Sequence, residues 1–227
     1  MFADERMDQI VDIIVHSFFP MLKAGVAFTV PLTLVSFLLG LLLALLTALA
    51  RISGIKLLDA VARFYVWVIR GTPLLVQLFI IFYGLPSIGI TISPLPAAII
   101  GFTLSVGAYN SEIIRAAILS ISKGQWEAAY SIGMSNPQAL KRIILPQATR
   151  VSVPPLANSF ISLVKDTSLA ATITVTEMFR VAQQITATTY EPLVLYCLAG
   201  FIYLIFSTVL SNAQGQMEKR LDRYVTG

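Results

Sequence analysis

Charged side chains are scarce in this 227-residue chain: Asp, Glu, Lys and Arg together make up 12% of it, where a soluble domain carries about 25%. With 56% hydrophobic residues and a mean hydropathy of +0.80, that scarcity excludes an ordinary soluble fold and places the chain in a bilayer. Cysteine occurs once, as Cys197 in an apolar run, which excludes a disulfide framework and a thiolate metal site. Histidine also occurs once. His16 has no neighbouring ligand set and lies ahead of the first apolar run, so there is no buried Ser-His pair for intramembrane hydrolysis. The net charge of +4 comes without any basic run interleaved with aromatics, so no nucleic-acid partner is expected. No G-x-x-x-x-G-K-[ST] phosphate loop is present, so the chain is expected to bind no cofactor and to be no enzyme in itself. The opening MFADERMDQIVD carries Asp4, Glu5, Asp8 and Asp12 where a signal peptide needs cations, so the first span is expected to act as its own signal.

What the chain does have is long apolar runs. Ala24 to Ala50 is charge-free over 27 residues, and about 20 suffice to cross the hydrocarbon core. Gly71 to Ser111 is charge-free over 41 residues and is divided by GLPSIGITISPLP, Gly84 to Pro96. That Gly and Pro punctuation predicts a turn between two spans, Leu57 to Tyr83 and Leu95 to Leu119. Val153 to Val175 makes a fourth span despite Lys165 and Asp166, and the 26 charge-free residues from Pro192 to Met217 make a fifth. The expected fold is an all-α integral membrane protein, one domain over residues 1–227 with five transmembrane helices. Five spans put the two ends on opposite sides. If the tail is inside, the inner segments hold eleven of the 16 Lys and Arg: Arg51, Lys56, Arg63, Arg115, Lys123, Lys141, Arg142, Arg150, Lys219, Arg220 and Arg223. The outer segments hold only Arg6, Lys23 and Arg180, so the positive-inside rule predicts the N-terminus outside and the C-terminus in the cytoplasm.

The most polar long stretch between spans is QWEAAYSIGMSNPQALKRIILPQA, Gln125 to Ala148, in a cytoplasmic loop over 123–148. A helix over Gln125 to Ile132 is expected to end at Gly133 in the left-handed conformation. A second is expected to begin with Asn136 as N-cap and Pro137 at its first position, and to be stopped by Pro146. Two short helices at a fixed angle form a relief suited to docking. The alternative is an amphipathic loop on the headgroups, with Lys141 and Arg142 over anionic lipid.

The same residues carry a resemblance. Glu127, Ala128, Ala129, Gly133, Ile143, Leu145 and Pro146 match the EAA signature of the permease subunits of ABC importers. RGTPLLVQ (Arg70 to Gln77), SEIIRAAI (Ser111 to Ile118), LPQATR (Leu145 to Arg150) and NSFISLVKDTSL (Asn158 to Leu169) resemble the polar amino acid permeases of that family. The resemblance implies a type I importer permease in a bacterial inner membrane. It also implies cytosolic ATPase subunits that bind ATP and Mg, a second permease chain (a copy or a sister), and an extracytoplasmic binding protein. The EAA loop would be the coupling helix seated in the ATPase. In that role Ala128 and Ala129 let a partner surface come close, Glu127 caps or meets a cation, and Gly133 supplies a turn that no side chain could enter. A bulky or charged residue at Gly133 is expected to abolish coupling, and the same change at Ser135 to be mild. RGTPLLVQLFIIFYGLPSIGI and KDTSLAATITVTEMFRVAQQI look most like the cystine permeases, although arginine, histidine, glutamine and glutamate permeases share nearly all these motifs.

Ionisable groups within spans face a partner or a water-filled cavity. Arg70 and Glu112 lie at similar depths, about 10 Å along antiparallel spans two and three, placed either to pair or to gate. Thr72-Pro73, just beyond, can kink the helix. Arg63, Arg70 and Gln77 recur every seven residues, which predicts one polar stripe. Span four repeats the pattern with Asn158, Ser162 and Asp166 at four-residue spacing, adjoined by Lys165, Thr167 and Ser168. Lys165 sits roughly 22 Å from the cytoplasmic end, beyond the midplane. There KDTS either offers both signs to a zwitterionic amino acid, or Lys165 and Asp166 satisfy each other. In the family the translocation path runs along these spans, so Arg70, Gln77, Glu112, Asn158, Ser162, Lys165, Asp166, Thr167 and Ser168 are the candidate path residues. The outer loop from Thr176 to Glu191 is expected to be part helical and, by the resemblance, to meet the binding protein. A channel or secondary carrier is the competing class. No internal repeat is visible, and the polar loop would then have no purpose.

Overall fold

The computed structural model describes residues 2–222, with the side chains of 5–219. Arg223 lies outside the described residues, as do the side chains of Asp4 and Arg220. The elements are α1 (Phe2–Ala24), α2 (Val30–Ile52), α3 (Lys56–Gly71), α4 (Leu74–Phe79), α5 (Pro94–Ser120), α6 (Lys123–Ser131), α7 (Asn136–Ala139), α8 (Leu145–Asp166), α9 (Met178–Thr189) and α10 (Pro192–Asp222). No strand occurs among the described residues.

Three wide π-helical turns, Gly25–Thr29, Ile80–Gly84 and Leu140–Ile144, interrupt the α-helical pattern without ending the helical run. Each is followed, two residues past its end, by a proline: Pro31, Pro86 and Pro146. A proline inside a helix lacks the N–H for the carbonyl four residues back, and its ring collides with that carbonyl. Widening the preceding turn moves the carbonyl aside. The N–H groups of Val30, Leu85 and Leu145 donate instead to the carbonyls of Gly25, Ile80 and Leu140, five residues back. Pro146 therefore does not stop the helix as expected; the chain continues through it into α8.

Glu5–Ile52, Pro94–Ser120 and Pro192–Lys219 are each long and apolar enough to cross a membrane, and Lys56–Gly71 with Leu74–Ile88 qualifies as a pair bent by 103°. The bend falls at Thr72-Pro73, where the Thr72 hydroxyl donates to the Val68 carbonyl at 2.9 Å and closes α3. The first run departs from the sequence expectation. Its 48 residues extend about 72 Å at 1.5 Å per residue, against a hydrocarbon core of about 30 Å. The fourth expected span departs as well. It is α-helical only to Asp166 and then tightens into a 3₁₀ turn, Thr167–Ile173, which Thr174 ends at φ +66°.

The chain divides into two compact units. One runs through Ser36 and adds Leu75–Gly101 and Ile161–Asn212. In it α1 lays Met21, with Ile13, Phe18 and Leu22, against Met178 and Ala182 of α9 and Leu195, Ala199 and Ile202 of α10. The other comprises Phe37–Leu74, Phe102–Phe160 and the chain from Ala213 on. Its core joins Ala44 and Ala48 of α2, Ile114, Ala117 and Ile118 of α5, and Ile144 and Ala148 next to the polar loop. Small residues let α2 and α5 approach: a Cβ built on Gly40 would lie 2.5 Å from Val106 Cγ1.

Candidate functional site

The polar loop folds into two short helices held together by caps and hydrogen bonds. Helix α6 closes with a paired motif in which Gly133 N–H donates to Tyr130 O at 2.9 Å and Met134 N–H to Ala129 O at 3.1 Å. Gly133 takes φ +80°, as its position past the helix end requires. Nothing lies within 4 Å of a Cβ built there, so the constraint is conformational and not, as expected, a turn too tight for a side chain. Helix α7 is capped by Ser135, not Asn136, because Gln138 Oε1 reaches back to accept the Ser135 N–H at 2.9 Å. Asn136 has another task. Its Oδ1 accepts the Tyr130 hydroxyl at 3.2 Å, fastening α7 to α6, while Gln147 donates to Gln125 Oε1 at 3.1 Å from α8. Ser135 thus has a local role, as the N-cap of α7, that sequence reasoning assigned to Asn136.

Within the signature, Glu127, Ala128, Gly133 and Pro146 are exposed, Ile143 and Leu145 are half-buried, and Ala129 is buried. Ala128 presents a small face to the outside, whereas the small size of Ala129 serves packing beneath it. Beside Glu127 an open groove of about 710 Å³ is lined by Ile52, Leu119, Trp126, Tyr130 and Pro137.

The path candidates divide. On α8, Asn158, Ser162, Lys165 and Asp166 are exposed on one face while Ile161, Leu163 and Val164 are buried, and among the described residues no ion pair joins Lys165 to Asp166. Thr167 does not share that face. It is fully buried, and its hydroxyl donates to Val164 O at 2.7 Å; that of Ser168 donates to Lys165 O at 2.7 Å. Arg70 is exposed and Gln77 buried, so the seven-residue stripe ends at the bend. Nor does Arg70 pair with Glu112. Its guanidinium carbon lies 5.2 Å from the Tyr109 ring centroid, a cation–π contact, while Glu112 accepts from Arg51 at 2.7 Å and Arg115 at 2.8 Å.

Sequence reasoning missed two groups. Arg51 and Asp59 join Glu112 in a cross-helix ion cluster; the Asp59/Arg63 and Glu112/Arg115 spacings signalled its two ends, and nothing local signalled Arg51. Glu177 is fully buried at the start of α9. Its Oε1 accepts Arg180 N–H at 2.7 Å and its Oε2 the Tyr203 hydroxyl at 2.9 Å. Burial pushes its carboxyl above the ordinary value, against those bonds. An acid three residues before Arg180 at a helix start was a legible cap signal.

Several helices long and apolar enough to cross a membrane, a polar face on α8, and a polar loop of two short capped helices are the features that the comparisons with known proteins bear on. The model of the family described as binding-protein-dependent transport system inner membrane component matches residues 40–223, so the chain belongs to that family. The L-cystine transport system permease protein TcyB of Bacillus subtilis is 57% identical over 94% of this chain and 92% of its own length. The arginine transport system permease protein ArtQ of the same organism is 36% identical, over 89% and 93%. Among solved structures, an amino acid ABC transporter with histidines matches with a TM-score of 0.86 at 35% identity, over 91% of this chain and 96% of that one. The MetNI methionine transporter, at a TM-score of 0.70 and 19% identity, shares the fold. The chain is thus an inner-membrane permease of the amino acid ABC transporter type.

Proposed function

We propose that this chain is the permease of an ATP-driven importer of L-cystine. The observation that carries the substrate is the 57% identity to a cystine permease along nearly the whole of both chains. In this reading the chain crosses the membrane five times, with the bent α3–α4 pair as the second span and α8 with its 3₁₀ extension as the fourth. The N-terminus lies outside and the tail in the cytoplasm, following the cation distribution. ATPase subunits that bind ATP and Mg grip Glu127, Ala128, Gly133 and the turn through Ile143, Leu145 and Pro146. Their closure on ATP moves that loop, and the spans reorient between outward and inward access. A second permease chain, a copy or a sister, completes the pathway. A binding protein delivers substrate at the outer face that includes α9. On the path, Lys165 suits a substrate carboxylate and Asp166 an ammonium; Asn158 and Ser162 adjoin them on α8, Thr167 and Ser168 follow in the 3₁₀ turn, and Arg70, Gln77 and Glu112 belong to spans two and three.

The test is uptake of labelled cystine into proteoliposomes holding the chain with its co-purified ATPase and binding protein. Cystine-stimulated hydrolysis with cystine uptake supports the reading. A 36% identical arginine permease favours the second reading, another polar amino acid. Arginine uptake without cystine uptake would establish it. Uptake with no ATPase present would instead mark a channel or secondary carrier.

A further inference from the structure

Five charged side chains on α2, α3 and α5 form an unbroken series in the order Arg63, Asp59, Arg51, Glu112, Arg115. Arg51, in the last turn of α2, is the central link. Its Nε lies 3.2 Å from Asp59 Oδ1 on α3, and its Nη1 donates to Glu112 Oε1 on α5 at 2.7 Å. Only 16% of its side chain is exposed. The outer contacts stay within single helices: Arg63 Nε donates to Asp59 Oδ1 at 2.9 Å, and Arg115 Nη2 to Glu112 Oε2 at 2.8 Å. Only the two Arg51 contacts cross between helices.

The position of this link matters because of what the polar loop touches. The apolar core that includes Trp126, Leu140, Ile143 and Ile144 of the loop reaches α2 through Ala44 and Ala48, and α5 through Ile114 and Ile118; it includes no residue of α3. Farther along, α3 is joined to α5 by the Tyr65 hydroxyl, which donates to Leu104 O at 2.6 Å, and by Arg70 over Tyr109. At the end nearer the loop, the Arg51 guanidinium ties α3 to the elements that carry the loop. A planar guanidinium can hold two carboxylates at a fixed angle, which an ammonium cannot.

We propose that Arg51 is a positioning residue of energy coupling: it carries displacement of the loop from α2 and α5 into α3, and so to the break at Thr72-Pro73. The inference rests on the ATPase-driven reading above. Without Arg51 the loop still moves α2 and α5, but α3 lags, and ATP is hydrolysed without productive reorientation.

The test reconstitutes the complete complex, with ATPase and binding protein, as wild type, R51M, R51K and D59N, and measures ATP hydrolysed per cystine imported. D59N leaves Arg51 on Glu112 and removes the one charged contact between Arg51 and α3, together with the Arg63–Asp59 pair inside α3, which crosses to no other helix. R51M and D59N should raise the ratio about fivefold or more, the range of ordinary coupling energies, with R51K between them and wild type. A merely structural role would lower hydrolysis and import together and leave the ratio unchanged, and that result overturns the proposal. Should R51M fail to assemble, D59N decides. A wild-type complex that imports without hydrolysing ATP would remove the ATPase-driven reading itself, and this inference with it.

Discussion

Replacing Gly133 separates a conformational requirement from a steric one. The residue holds φ +80° at the end of α6, and a Cβ there meets nothing within 4 Å. A side chain is therefore opposed only by the left-handed backbone, a strain of about 1–2 kcal/mol for an ordinary L-residue. Asn visits that region more readily than Ala, and a β-branched residue least of all. The strain acts on the one turn that aims α7, so about 1.4 kcal/mol should appear as a tenfold loss of the docking-competent loop. The assay is ATPase binding to the purified permease in detergent, titrated for wild type, Gly133→Asn, Gly133→Ala and Gly133→Val. Affinity should fall in that order, by roughly two- to threefold for Asn, about tenfold for Ala and more for Val. The permease's own thermal midpoint should move little, because the turn is exposed. If Asn proves as damaging as Val, or if Ala equals glycine, the left-handed turn is not what the partner requires. The reasoning would then fail.

Ala128 and Ala129 should behave oppositely: Ala129→Leu overfills a buried site and lowers stability by about 1–3 kcal/mol, read as a lower Tm, whereas Ala128→Leu leaves Tm unchanged and weakens ATPase binding. Gly40→Ala drives a methyl to 2.5 Å from Val106 Cγ1 and should lower Tm clearly, while Gly200→Ala, with nothing within 4 Å, should not. Glu177 holds a proton more tightly folded than unfolded, so its ionisation opposes folding. Stability is then fullest below its ordinary pKa near 4.5 and declines as pH rises through the higher folded value. Glu177→Gln should flatten that decline in a Tm-against-pH series; an unchanged slope would show that Glu177 is not its source.

The apolar runs and the signature were legible because hydrophobic burial and a left-handed glycine leave marks in composition and spacing. Gly133 ended α6 as its type predicts, and Thr72-Pro73 bent the chain where a missing N–H demands it. Pro146 was misread because a proline is a stop only if the turn before it cannot widen, and widening depends on the carbonyl five residues back, which no local pattern displays. Likewise, Arg70 and Glu112 were expected at similar depths from residue counts alone, and they do not pair. Tyr109 takes the one and Arg51 the other, and cross-helix geometry of that kind is set by packing.

Each wide turn ahead of Pro31, Pro86 and Pro146 also stores one residue more than a plain α-helix of the same rise would hold. Deleting a single residue there can be absorbed by reverting to α-helical winding, whereas a deletion elsewhere in a span turns everything beyond it by about 100°. Chain length is thus negotiable at three points and rigid between them. Within the family, single-residue gaps should collect at Gly25–Thr29, Ile80–Gly84 and Leu140–Ile144, and a change at any of these prolines should be accompanied by a gap just upstream.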